Sequence, residues 1–465
     1  MSQNVSPVLR RSGFTEADSS LTQRYGFGTG LQADLRKVSR PSPDSGLKVL
    51  FVALVNNVGC ERVIAEMADH GAVCALMSPP GYYCAYTRAV AHHFSLPKLP
   101  SVWLEALFVR RRLEAAARDW QPDLVVPLDD IAAWLLRSLA IKSSVSQSLR
   151  DLLINSFGSP SGYIAAVSRQ AFMEVASRLG VHKPHHLSVD ARSEFSVVPR
   201  NWEFPLFVKT EHSCGGDGVD PIRDHVLLRE RLQSGISVGP WRRFVRNVKR
   251  LLRAKAGFLL VPEDGIFMQS FARGAPAFRT VAAWNGRVIA GVSFAAECIH
   301  PKPTGASTVV RPVNNREMED IAVAVTAELG CSGFVSYDFM LDEEQGRATL
   351  IEMNPRCVGS CHLGKLFGHD VCGALIAYLT GAVVPERSAL SSAQRVALFP
   401  KELERDPSSG YLQSSETFHD VPHSEPALIA AYLRRLVDLH PARANEIIKI
   451  VQDVSEELSR EDVPP

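Results

Sequence analysis

At 465 residues the chain is long enough for two to four domains of roughly 100–200 residues each. Lys and Arg number 51 against 50 Asp and Glu, so a net charge of +1 excludes a bulk nucleic-acid binder, though not a local basic patch. No apolar run approaches the roughly 20 residues of a spanning helix, the N-terminus lacks a signal-peptide stretch, and nine scattered cysteines form no disulfide framework, so a reduced, cytoplasmic protein is expected.

Residues 1–46 are polar, without a sustained period, and read as a disordered arm. Residues 47–54 form a continuous apolar run suited to a buried parallel strand. Asn56, Asn57 and Gly59 then turn the chain, and a helix opens at 63–67. A second strand at 73–77 ends at Pro79-Pro80-Gly81. Residues 103–120 read as an Arg-rich amphipathic helix, and 123–128 as another buried strand with Asp129 and Asp130 at its C-terminal end. Alternating strand and helix predict a small open α/β domain over 47 to about 155.

Ser168-Arg169-Gln170 opens a helix that runs to Leu179 and stops at Gly180. Residues 205–210 are a strand, 213–219 a glycine-rich turn, and 266–271 a further strand. Asn285-Gly286 between apolar runs is a strong hairpin signal. A helix is expected at 316–329, followed by strands 333–341 and 347–353 joined by a polar turn. The tail beyond about 385 is mixed, with helices near 426–437 and 442–459. Residues 396–407 read as a strand or turn followed by a cap on the core. No chemical role attaches to them, and a substrate-pocket wall or a homodimer contact both fit.

Tyr337-Asp338-Phe339-Met340 and Ile351-Glu352-Met353-Asn354-Pro355-Arg356 carry the most chemical information. Alternate strand residues point the same way, so Glu352 and Asn354 share a face that Asp338 can reach from the partner strand. Two carboxylates and an amide oxygen are hard donors that suit Mg²⁺ held together with phosphates, with a solvated edge hairpin as the bland reading. Lys209 ends a strand just before Gly215, Gly216 and Gly218, where backbone N–H groups could approach an anion. There is no Walker A loop, no dinucleotide-binding glycine fingerprint after the first strand, and no serine-hydrolase elbow.

The order of these elements resembles the ATP-grasp superfamily, in its carbamoyl-phosphate-synthetase-like and biotin-carboxylase-like branch, over about residues 47–380. The most specific part is Gly333–Phe339 as a run with Ile351-Glu352-Met353-Asn354-Pro355-Arg356. The resemblance implies an α/β (α+β) architecture. A Rossmann-like pre-ATP-grasp domain at 47–155 would precede an ATP-grasp domain at 156–385. Its lid subdomain would span about 185–272 with an inserted basic helix near 240–256, and a helical extension would occupy 386–465.

It also implies roles. Lys209 and Arg169 would contact ATP phosphates under the Gly215–Gly218 loop. Gln269, Ser270, Phe271 and Ala272 would form the hinge for adenine and ribose, and Asp338, Glu352 and Asn354 would hold Mg²⁺, or Mn²⁺ in its place. Arg356 would face the transferred phosphoryl group and the carboxylate. The family more often has Lys where Arg169 stands and a hinge carboxylate where Gln269 and Ser270 stand. The implied chemistry is attack of a carboxylate on the γ-phosphate, then displacement of phosphate by an amine. A phosphotransferase that stops at the first step and a nucleotide-binding regulator are the alternatives.

Arg279, after the hinge, and Arg311, after Val310, could bind the carboxylate bidentately, while a solvated or structural arginine is an equal reading. Glu297 and His300 could line the same pocket or simply end a strand. Residues 241–255 place Trp241, Phe244, Val245, Val248, Leu251 and Leu252 at helical spacing amid seven cations and no acid. A helix packed by its apolar stripe is the favoured reading, with peripheral contact to an anionic membrane as the other. Cys357, Cys361 and His362 lack a second ligand pair and read as packing rather than a zinc site.

Overall fold

The computed structural model describes residues 46–189, 202–210, 219–236, 240–259, 266–383 and 394–461. The N-terminal arm up to residue 45 and the loop carrying Gly215, Gly216 and Gly218 lie outside the described residues.

The first layer contains β1 (Lys48–Val52), α1 (Glu61–Asp69), β2 (Val73–Ser78), β3 (Val90–Ser95), α2 (Val102–Asp119), β4 (Leu124–Pro127) and α3 (Asp130–Ala140). Its four strands run parallel in the order β3-β2-β1-β4. Central β1 is buried on both faces, which is why its run is apolar throughout. β3 escapes sequence detection because it is an edge strand with His92 and His93 exposed, so no apolar alternation marks it. Asp129 caps α3 through the N–H of Ala132 at 2.8 Å and also accepts the N–H of Leu54 at 2.6 Å. That buried carboxylate ties the ends of β1 and β4 together.

Three helices follow: α4 (Gln147–Phe157), α5 (Tyr163–Val167) and α6 (Arg169–Arg178), the last capped by Ser168. A second, antiparallel sheet is built from β5 (His186–Val189), β6 (Leu206–Thr210), β7 (Val219–Ile222) and a later strand. Between them the chain forms α7 (His225–Ile236) and α8 (Pro240–Ala256) before returning as β8 (Ile266–Ser270). The order is β5-β8-β6-β7, with Leu206, Val208, Ile266 and Met268 buried against Leu228 and Leu232 of α7.

The largest sheet holds β9 (Ala275–Trp284), β10 (Arg287–His300) and β11 (Ala306–Pro312). It continues after α9 (Arg316–Leu329) with β12 (Gly333–Asp342) and β13 (Arg347–Asn354), and α10 (Val371–Thr380) covers it. The tail supplies β14 (Arg395–Ala397), α11 (Lys401–Arg405), β15 (Thr417–His419), α12 (Pro426–Leu439) and α13 (Ala444–Glu461). The order is β13-β12-β9-β10-β11-β14-β15, so the tail is not helical alone: two of its strands extend the sheet past β11. The Asn285-Gly286 turn has φ of 48° and 78°, the doubly left-handed pair that a two-residue hairpin demands.

Register divides this sheet into two faces. Tyr337 pairs with Arg279, and with Val335 and Phe339 it joins the core packed under α9. Phe278, opposite Asp338, points to the other face, where Ala282, Phe294 and Phe334 pack with α1 and α10. Among the described residues, no helix is long and apolar enough to cross a membrane.

Candidate active site

The β12–β13 pair sets Asp338 directly opposite Glu352, and Ser336 opposite Asn354. Strand parity therefore puts all three expected metal-holding side chains on one face at the edge of the sheet. Asn354 Nδ2 donates to Asp338 Oδ2 at 2.9 Å. Glu352 Oε2 lies 3.4 Å from Arg169 Nε, at the start of α6, and 3.7 Å from Lys209 Nζ, on β6 of the second sheet. Three separate elements thus converge on one carboxylate.

Electrostatics follow from that geometry. Burial and the neighbouring Glu352 push Asp338 up to about 7. Burial would raise Glu352 too, but Lys209 and then Arg169 outweigh it and hold the acid below its usual range. Burial pulls the Lys209 ammonium below its usual range, with Glu352 opposing. The donor set is two opposed carboxylates and an amide, all oxygen donors for a hard divalent cation, and the raised Asp338 marks a pair of acids that a cation would relieve.

Arg356 sits at the end of the same array. Its Nη2 is 3.3 Å from Asn354 Oδ1, and its guanidinium grips Asp130, the first residue of α3, at 2.6 and 2.9 Å. Burial opposes the charge on Arg356, but Asp130 holds it firmly cationic. Asp130 thus links the first layer to the array, a partnership that no local sequence signal reveals across 226 residues.

The hinge residues are placed on β8 and just after it. Gln269 is buried and donates to Ile351 O at 3.3 Å, tying the second sheet to β13. Ser270 Oγ accepts the N–H of His185 at 2.9 Å. Phe271 is 49% exposed and Ala272 half-buried.

Arg279 and Arg311 are not brought to the array. Arg279 lies opposite Tyr337, on the α9 face, where its Nη1 donates to Ser293 at 2.9 Å and its Nη2 approaches Glu319 at 3.8 Å. Arg311 pairs with Ala295, a member of that same core, and binds Glu297 at 2.8 Å and also Glu343. The parity of a strand relative to Asp338 depends on register with its neighbours, which composition does not carry. Glu297 is committed to Arg311 and Arg395, and His300 is exposed at the end of β10.

Sequence reasoning missed Lys401. It begins α11, and burial holds its ammonium below the usual range amid Cys60, Glu404, Glu61 and Arg356. Every ion pair of its neighbours Arg395 and Arg405 goes elsewhere, and Lys401 itself has no hydrogen bond or ion pair among the described residues. The chain before it is anchored by the Phe399 ring, 5.6 Å from that of Tyr432. The Tyr432 hydroxyl accepts the N–H of Gly59 at 3.2 Å, beside Glu61 Oε2 at 2.9 Å. Lys401 therefore faces the β1–α1 loop near Arg356.

Cys357 and Cys361 are buried, and contacts with Cys361 and Cys60 raise the Cys357 thiol. His362 binds Asp420 at 3.0 Å, which Arg62 also pairs at 3.1 Å, so this segment is packed rather than metal-binding in pattern. Glu66, His70 and Asp370 have ligand-like spacing, yet Lys365 Nζ already pairs with Glu66. Hydrogen bonds to Asp370 and Glu66 lift His70 to about 9, so these acids already have their cations.

No family model matches the chain. It is 27% identical over 206 residues to the carbamoyl phosphate synthase large chain of Thermus thermophilus, covering 42% of this chain and 18% of that one. The chain thus matches less than a fifth of that relative's length. It is 22% identical over 191 residues to the D-alanine–D-alanine ligase of Polynucleobacter asymbioticus, covering 41% of this chain and 52% of the ligase. Among solved structures, the biotin carboxylase domain of Hydrogenobacter thermophilus 2-oxoglutarate carboxylase superposes with a TM-score of 0.51 at 15% identity, covering 73% of this chain and 71% of that one. N5-carboxyaminoimidazole synthetase from Staphylococcus aureus, solved with ADP, gives 0.50 at 12% identity over 74% and 80%.

Proposed function

We propose that this chain is an ATP-grasp protein that joins a carboxylate to an amine using ATP, through an acylphosphate, with release of ADP and phosphate. The observation that carries the reading is the convergence on Glu352: an acid pair of the largest sheet, a lysine of the second sheet and a helix-start arginine meet at one carboxylate. The biotin carboxylase neighbour was solved with MgADP and bicarbonate, which supports nucleotide binding at the corresponding fold position.

Each group then has a role. Lys209 and Arg169 take the phosphate oxygens, turning from Glu352 toward the nucleotide. Asp338, Glu352 and Asn354 hold Mg²⁺, or Mn²⁺, which when bound neutralises phosphate charge. The backbone at Gln269–Ala272 receives the adenine, with the open Phe271 ring beside it. Arg356, fixed by Asp130, aligns the substrate carboxylate with the γ-phosphate and offsets the charge on the peripheral oxygens. Its bond to Asp130 keeps the guanidinium in one orientation. Lys401 holds an anionic group of the acid or the amine substrate. The carboxylate oxygen bonds to phosphorus as the bond to the ADP oxygen breaks. The amine nitrogen then bonds to the acyl carbon as phosphate leaves.

An ADP-release screen over paired small carboxylates and amines, with mass spectrometry of the products, tests this. An amide appearing with stoichiometric ADP and phosphate supports it. A stable phosphorylated acid without amide would replace it with a phosphotransferase, and the absence of both ADP and product with every pair would remove it.

A further inference from the structure

We propose that the solvent face of α8 is a docking surface for an anionic lipid bilayer. α8 carries seven cations and no acid along Pro240–Ala256. An ordinary surface helix with that composition would bury its aliphatic stripe and hold its cations in water. Here Val245 and Leu252 are half-buried, but one cation turns inward and part of the aliphatic stripe stays outside. The Arg253 guanidinium lies over the Trp103 ring at 5.0 Å and the Trp134 ring at 5.8 Å. Phe258 completes the joint, 4.5 Å from Trp134 and 5.6 Å from Trp103. Gly257, at φ +109°, turns the chain there with only 3.0 Å between an added Cβ and Leu139. α8 is thereby pinned to α2 through its C-terminal end.

The pinning leaves aliphatic side chains outside. Val248 is 38% and Leu251 55% exposed, and Leu259, just past the helix, is 50% exposed. Positions 248 and 251 lie on one side of the helix, with Lys249, Arg250 and Lys255 exposed around them. The neighbouring α2 adds exposed Arg111 and Arg112 and a Phe108 that is 45% exposed. Exposed aliphatics set among cations on a helix without an acid match the headgroup–acyl boundary, where phosphates take the cations and the aliphatics enter the chains.

A bilayer fits better than an acidic protein groove. A groove that encloses the helix would have to strip Arg253 from two indoles, whereas a flat surface engages only the side already exposed. The inference is independent of the ligase reading.

The test is co-sedimentation of the full chain with vesicles of phosphatidylcholine alone or mixed with phosphatidylserine, at low and high salt. Binding to the serine-containing vesicles alone, weakened by salt, is expected. Lys249→Glu with Lys255→Glu should lower the partition coefficient on the order of 10²-fold, since each cation near the surface contributes a several-fold factor. Val248→Ser with Leu251→Ser should lower it about tenfold even at low salt. All four positions are exposed, so melting curves should match the parent chain. No binding to either vesicle overturns the proposal. So does binding that ignores the serine pair, and equal capture by duplex DNA would mark a general polyanion surface instead.

Discussion

On one face of the largest sheet, Glu352 meets its two cations at 3.4 and 3.7 Å; on the other, Arg311 meets Glu297 at 2.8 Å and also grips Glu343. Both clusters are partly buried. The difference is in how closely each charge is already served. The two Glu352 partners come from two separate elements, α6 and β6, and stand off from the carboxylate. The Arg279 and Arg311 partners lie within one sheet and its covering helix, and their contacts hold that sheet together. A charged residue in such a sheet is therefore read better by its face than by its type.

Glu352→Ala should have the largest effect. It should lower kcat for ADP release on the order of 10²-fold or more, because charge stabilisation at the phosphates is lost; a near-parental rate would end the distinction between the faces. Lys401→Met should raise KM for one organic substrate about tenfold while leaving that for ATP unchanged, with Lys401→Arg restoring most of it. Equal effects on both KM values would place Lys401 in the scaffold instead.

His70 extends the comparison to a closely served cluster, at 2.6 Å from Asp370 and 3.3 Å from Glu66. Its folded pKa is raised to about 9, so its contribution is complete below its ordinary value of 6.5 and lost as pH rises through 9. Denaturant melts should show a fall on the order of 1–2 kcal/mol over that window, and His70→Asn should flatten it. Smallest of all, Arg279→Met and Arg311→Met should each change kcat less than about threefold while lowering stability by about 1 kcal/mol. A hundredfold loss in either would return that arginine to the reaction.

Much of this was legible in the residues. Alternation in 333–341 and 347–353 marks the hairpin, and Asn285-Gly286 marks the turn between β9 and β10, because local chemistry decides both. The same local chemistry makes Ser168 a cap and places Arg169 at a helix start, where it meets Glu352. What the sequence could not carry was relative parity. Arg279 is one residue from Phe278, and that single step sends it to the opposite face from Asp338. Asp130 was invisible for a different reason: its partner Arg356 lies 226 positions away, and Lys401 comes near Cys60 and Glu61 only through the fold. β14 and β15, at three residues each, are too short to show a period.

Those two short strands decide where the protein can be cut. β14 pairs with β11 at Val309 and Val310, and β15 shields β14 in turn. A polypeptide ending before Arg395 would present β11 as a bare row of backbone donors and acceptors, an invitation to edge-to-edge self-assembly. It would also lack Lys401. The final 71 residues therefore carry both the strands that close this sheet edge and the lysine proposed to hold substrate, so one truncation would remove both.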